Sequence, residues 1–135
     1  MIIKLYTDAA SIAQHPHPDQ PSGAGILLIT NGHQEQLKQT VSAADNHTAE
    51  FQAALAGFKA AATVAKTTDT VMFFTDSRLV ADAVGKGVTK HYPELTAQLL
   101  ALQDQFQLVI TQWLPERENR GAHQLALQAL HDATK

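Results

Sequence analysis

Apolar positions recur along the chain with two different periods, and the switches between them mark out the elements. Between Ile2 and Thr7, the residues Ile3, Leu5 and Thr7 alternate with Ile2, Lys4 and Tyr6, a strand pattern ending at Asp8. From Ile12 to Ser22 the chain carries Pro16, Pro18 and Pro21 with His15 and His17, which predicts a loop. Gly23-Ala24-Gly25 opens a second apolar run, Ile26 to Thr30. Asn31-Gly32 then signals a tight hairpin, with Glu35 to Val41 as the returning strand. The first third therefore reads as a three-stranded meander.

The period changes after Val41. Asp45 or Asn46 can cap a helix, and Glu50 lies in its first turns. Phe51, Ala54, Leu55, Phe58, Ala61, Ala62 and Ala65 fall on helical spacing, and Thr67-Thr68-Asp69 closes the helix. The alanines and Gly57 suit close packing on a sheet. Val71 to Thr75 is a short continuous apolar run, as in a central strand buried on both faces. Asp76-Ser77 starts a short helix reaching about Val84. Gly85 and Gly87 interrupt the pattern, and Pro93 suits the first turn of a helix carrying Leu95, Leu99, Leu102 and Phe106. Leu108 to Leu114 reads as the last strand. Asn119 to about Asp132 reads as the last helix, with Ala122, Leu125, Ala126, Ala129 and Leu130 on its apolar face. The order is β-β-β-α-β-α-α-β-α. Strands joined through helices pair in parallel, so the class is α/β with a five-stranded mixed sheet and helices on both faces.

Composition narrows the classes of function. A chain of 135 residues is one ordinary domain, spanning 1–135. Hydrophobic residues make up 44%, enough for a core. Ten basic against thirteen acidic residues leave a net charge of -3, which excludes binding to nucleic acid by bulk positive charge. No apolar run approaches the ~20 residues of a membrane helix, and the N-terminus lacks the apolar segment of a signal peptide. The absence of cysteine removes disulfides, thiol nucleophiles and zinc sites of the cysteine type. A cytoplasmic, monomeric protein without membrane contact is the simple expectation.

Three acids hold special places. Asp8 ends the first strand, Glu50 lies early in the first helix, and Asp76 ends the fourth strand. Carboxylates at the carboxyl ends of neighbouring strands point into the crevice where open α/β sheets place their sites. Converging carboxylates repel one another unless a cation neutralises them, and oxygen ligands suit Mg²⁺ or Mn²⁺. A pair of such ions about 4 Å apart cleaves phosphodiesters by in-line attack. Taken singly, each acid is more often a cap, a turn residue or a first-turn partner of the helix dipole.

Taken together, the segments resemble a family. Leu5-Tyr6-Thr7-Asp8-Ala9-Ala10-Ser11 is similar to the first motif of the ribonuclease HI family. Asn46-His47-Thr48-Ala49-Glu50-Phe51-Gln52-Ala53-Ala54 resembles the second, and Phe74-Thr75-Asp76-Ser77-Arg78-Leu79-Val80 the third. Trp113-Leu114-Pro115-Glu116-Arg117-Glu118-Asn119 and Ala122-His123-Gln124-Leu125-Ala126 resemble the fourth. The resemblance runs over nearly the whole chain and in the family's order. It implies an RNase H-like fold and a hydrolase that cuts the RNA strand of RNA–DNA hybrids, leaving a 5′-phosphate and a 3′-hydroxyl. It also implies metal-binding and catalytic roles for Asp8, Glu50, Asp76 and, by position, His123, with two Mg²⁺ or Mn²⁺ sites. Ser11, Asn46, Thr48, Ser77 and Asn119 are then candidates for hydrogen bonds to the hybrid, though each equally makes a cap or turn.

The chain departs from the family at His123, where the fourth motif commonly has an aspartate. An imidazole offers one neutral lone pair and binds Mg²⁺ poorly and Mn²⁺ better, so the second metal is expected to be weaker. Asp132 lies too far along the helix to replace the missing acid. Three readings of His123 stay open: a ligand favouring Mn²⁺, a neighbour contacting phosphate or water, or a remnant in a chain that no longer cuts. The intact acids favour the first two. The loop Pro115-Glu116-Arg117-Glu118 lacks the histidine that many members carry there. His15 and His17 have ligand-like spacing but read as loop residues, and His91 and His131 have no motif support. Between Asp76 and Trp113 the only basic residues are Arg78, Lys86 and Lys90, so hybrid affinity should be modest and salt dependent. The length fits a bare catalytic domain. The alternative to an endonuclease is an impaired module that holds hybrid, RNA or a protein partner. Another metal-dependent nuclease of the same fold ranks third.

Overall fold

The computed structural model describes residues 1–12, 21–42, 45–66, 68–87 and 91–134. His15, His17 and Lys90 lie outside the described residues. Five strands, β1 (Ile2–Ala10), β2 (Pro21–Thr30), β3 (His33–Ser42), β4 (Thr70–Thr75) and β5 (Leu108–Trp113), form one sheet in the order β3-β2-β1-β4-β5. The first three pair antiparallel, while β4 pairs parallel with both β1 and β5. The helices are α1 (Asn46–Val64), α2 (Arg78–Lys86), α3 (Pro93–Gln103) and α4 (Arg120–Ala133). A 3₁₀ turn at Glu116–Glu118 precedes α4. The expected element order and mixed sheet are therefore present.

Local chemistry explains the boundaries. Asn31 and Gly32 both have positive φ, 50° and 74°, so the β2–β3 hairpin closes in a turn whose twist matches the strands. Asp45 caps α1 by accepting the Thr48 N–H at 2.7 Å, and Ser77 caps α2 by accepting the Val80 N–H at 3.1 Å. Gly87, at φ 70°, ends α2 in the left-handed conformation. Asp69 accepts the Lys66 N–H at 2.8 Å and fixes the turn from α1 into β4.

Several boundaries differ from the pattern reading. Strand β1 continues through Asp8 to Ala10, because Ala9 and Ala10 still pair with Ala24 and Gly23. Strand β2 begins at Pro21 rather than Ile26, so Pro21 and Ser22 belong to the sheet and not to a loop. Phe106 lies beyond α3, yet its ring packs in the core near Phe58, with centroids 6.1 Å apart.

The two faces of the sheet are packed differently. On one face, Ile3, Leu5, Ile26, Leu28, Val71 and Phe73 meet Phe51, Ala54 and Phe58 of α1, Val80 and Ala83 of α2 and Leu99 of α3. Each such large side chain contributes roughly 1.5–3 kcal/mol by leaving water. A Cβ on Gly57 would sit 2.6 Å from Thr7 Cγ2, so the glycine lets α1 lie against β1. On the opposite face, α4 presses its backbone onto β2. A Cβ on Gly23 or Gly25 would meet the carbonyl oxygens of Ala126 and Ala122 at 2.1 and 2.0 Å. Gly25 is also the cross-strand partner of Asp8, so this contact brings the start of α4 beside the end of β1.

Candidate metal centre

Asp8 lies near the carboxyl end of β1, and Asp76 follows the last residue of β4, its parallel neighbour. Glu50 projects from the first turns of α1, whose start is held by the Asp45 cap. One carboxylate oxygen from each of the three lies within 4.8 Å of the others. Asp8 and Glu50 are only 3% and 8% exposed. Tertiary structure thus brings together the three acids whose positions the sequence singles out.

Their environment opposes three negative charges. Burial, reinforced by the charges of Asp8 and Asp76, pushes the Glu50 carboxyl up to about 10 from an ordinary 4.5. Burial and the Asp8 charge push Asp76 up to about 7. Glu50 Oε2 is buried and has no hydrogen-bond partner in the protein. A buried carboxylate oxygen left unpaired costs free energy unless a cation or proton satisfies it. Oxygen donors, mutual repulsion and an orphaned oxygen together fit a hard divalent cation.

His123, on the first turn of α4, joins the group from the other face of the sheet. Its Nδ1 lies 2.7 Å from Asp8 Oδ2 and its Nε2 lies 3.4 Å from Glu116 Oε1. A cavity of about 420 Å³ is lined by Asp8, Glu50, Asp76 and His123 together with Asn46, His47, Ser77, Arg78 and Glu116. The Trp113 indole N–H donates to the Asp76 backbone carbonyl at 2.9 Å, and the Arg78 guanidinium stacks 3.9 Å above the Trp113 ring. The indole therefore steadies the turn carrying Asp76 and holds a cation at the cavity rim.

The polar candidates divide. Asn46 and Ser77 line the cavity, Ser77 while also capping α2. Thr48 is half-buried and gives its N–H to the Asp45 cap. Ser11 shares a hydrogen bond of 2.9 Å with Ser22, joining β1's exit to β2. Asn119 is 1% exposed, and its Nδ2 donates to the Thr7 carbonyl at 2.9 Å. It thus ties the entry of α4 to β1 one residue before Asp8, inside the protein. Glu116 and His47 reach the cavity without having been singled out by pattern. Glu116 falls inside the segment resembling the fourth motif, but no periodicity marks it, and its place in the 3₁₀ turn between β5 and α4 is what sets it at the cavity.

Comparison with known proteins agrees with this geometry. The RNase H family model matches residues 2–114. The EbsB protein of Enterococcus faecalis is 32% identical over 131 residues, covering 96% of this chain and 94% of that protein. The RNase H1 structure from Halobacterium salinarum superposes with a TM-score of 0.84 at 26% identity, covering 98% of this chain and 100% of that one. The N-terminal RNase H domain of Rv2228c from Mycobacterium tuberculosis superposes with a TM-score of 0.82 at 27% identity, covering 98% and 96%. In sequence this chain spans 33% of the length of the bifunctional Rv2228c protein. The family-model match stops before α4, the helix bearing His123.

Proposed function

The chain belongs to the RNase H family, and from that premise we propose that it is a divalent-metal-dependent endonuclease that cuts the RNA strand of RNA–DNA hybrids. The observation carrying this reading is the convergence of Asp8, Glu50 and Asp76 to within 4.8 Å, with a buried oxygen of Glu50 left without a partner. Mg²⁺ or Mn²⁺ held by these carboxylates would supply Lewis-acid stabilisation and an activated water for in-line displacement at the phosphodiester.

The protein's own groups then orient and exclude. Asp8 and Asp76 each follow the last paired residues of the parallel β1–β4 ladder, Thr7 and Thr75, so backbone pairing sets where both side chains start. Glu50 closes the third side from a capped helix start. Arg78, held over Trp113 at the rim, offers a guanidinium to a backbone phosphate of the hybrid. Asn46 and Ser77 offer hydrogen bonds along the same edge, where a minor groove would present its 2′-hydroxyls. Residues 1–135 are taken as one catalytic unit.

The test is cleavage of a labelled hybrid across Mg²⁺ and Mn²⁺ titrations, with the same RNA single-stranded as control. Cleavage of the hybrid alone is expected. Asp8→Asn should lower the rate roughly 10²-fold or more, since several kcal/mol of charge stabilisation depend on the metal. No hybrid cleavage with either metal would sink the reading. The 2.7 Å pair between His123 and Asp8 favours a second one, a module that binds hybrid without turnover. Under that reading, hybrid is retained uncut and Asp8→Asn changes retention little.

A further inference from the structure

Around His123 both ring nitrogens face carboxylates. Nδ1 lies 2.7 Å from Asp8 Oδ2, a short, charge-assisted contact in which the ring N–H donates. The other ring nitrogen, Nε2, lies 3.4 Å from Glu116 Oε1, so the imidazole edge and the Glu116 carboxylate converge at the cavity. A metal-ligating histidine commonly gives its other N–H to a carboxylate, which fixes the tautomer and raises the basicity of the ligating nitrogen. Asp8 stands in that place.

We propose that Glu116 supplies the acid that position 123 lacks, its carboxylate and His123 Nε2 together holding the second divalent cation while Asp8 orients the imidazole. This rests on the reading of Asp8, Glu50 and Asp76 as a metal centre. The dimensions suit it. Donor atoms on adjacent corners of an octahedron with bonds of ~2.1 Å lie ~3.0 Å apart. The observed 3.4 Å closes by a small rotation of the Glu116 side chain, which is 66% exposed and free to turn. Glu116 also lines the cavity that holds the other acids, and its charge is one of those that raise the Asp76 carboxyl. A second feature of that cavity itself asks for a cation, namely the unpartnered Oε2 of Glu50, whose residue is only 8% exposed. One nitrogen and one carboxylate form a softer pair than two carboxylates, so this position should prefer Mn²⁺ to Mg²⁺.

Direct Mn²⁺ titration of the full chain without nucleic acid tests it, by calorimetry or by loss of the free-ion electron paramagnetic resonance signal. Wild type is expected to bind two Mn²⁺, and Glu116→Gln to weaken one of them about tenfold or more while leaving the other. His123→Ala should weaken the same one. Because Glu116 is exposed, Glu116→Gln is expected to fold, and an unchanged circular dichroism spectrum confirms that the binding change is local. Binding by Glu116→Gln equal to wild type, or a single wild-type site that Glu116→Gln leaves unaltered, overturns the proposal. A wild type that binds two Mn²⁺, loses one on Glu116→Gln and still cuts no hybrid would instead sink the nuclease reading and leave the Glu116 site standing.

Discussion

Asp8 is approached from both sides of the sheet. From one side come Glu50 and Asp76, which add negative charge. From the other comes His123, a nitrogen donor lining the cavity that contacts Asp8 directly. An aspartate at position 123 would replace the imidazole with a carboxylate and shift the preference toward a hard ion. His123→Asp is therefore expected to raise hybrid cleavage in Mg²⁺ by roughly tenfold and to narrow the advantage of Mn²⁺ over Mg²⁺. Initial rates in the two metals measure this directly, and unchanged or lower Mg²⁺ activity would show that α4 does not present residue 123 as a ligand. Residues of this kind were legible to different degrees. Asp8, Glu50 and Asp76 stand at strand ends and a helix start, so motif and topology both pick them out. Glu116 stands in a three-residue turn with no periodicity, and its place at the cavity is visible only in the folded chain. Asn119 shows the reverse case. Its motif position suggests a surface contact, but the buried Thr7 carbonyl needs a donor and Asn119 provides it.

Among the elements, β2 and α4 decide how the site is assembled. Gly23 and Gly25 alternate on the face of β2 that meets Ala122, Ala126 and Ala129, so helix backbone lies directly on strand backbone. Gly25→Ala places a methyl 2.0 Å from the Ala122 carbonyl oxygen, which the fold can accept only by lifting α4. A loss of about 1–3 kcal/mol in stability is expected, read as a lower thermal midpoint, with weaker Mn²⁺ binding because His123 moves with the helix. A variant as stable as wild type would mean that the helix slides rather than lifts. Gly32→Ala is the control for glycine loss alone, since no atom lies within 4 Å of its Cβ position and its cost comes from a φ of +74°. Helices were the more readable elements, because Phe51, Leu55 and Phe58 or Leu125 and Ala129 repeat at helical spacing. The start of β2 was not readable, because Pro21, Ser22 and two glycines look like a turn until a helix is seen to need their small faces.

At the scale of the whole molecule, the clustered acids link stability to pH and metal. The unfolded chain ionises Asp76 near 3.8 and Glu50 near 4.5, whereas the fold raises them to about 7 and about 10. The folded state thus binds more protons than the unfolded state between these limits. The stability held by these groups is complete below pH ~4 and is lost as pH rises through about 7 and beyond. Asp69 runs the other way, its carboxyl lowered by the Lys66 N–H, but its contribution is lost only as pH falls below the ordinary 3.8. The metal-free chain should therefore melt at a lower temperature at pH 8 than at pH 5.5. Under the proposed metal centre Mn²⁺ would bind the ionised acids, so it should raise the midpoint more at pH 8. Melting in chelator and in Mn²⁺ at both values checks this, and Asp76→Asn should flatten the pH response. A metal-free midpoint that rises from pH 5.5 to pH 8 would contradict the cause assigned to these shifts. What the sequence by itself determined is the order of elements, the mixed sheet and the three acids, since periodicity and chain position are local properties. Only the tertiary structure decided that Glu116 meets His123, that Asn119 is buried and that Gly25 admits α4. Those depend on how closely two backbones approach, a distance that no single segment encodes.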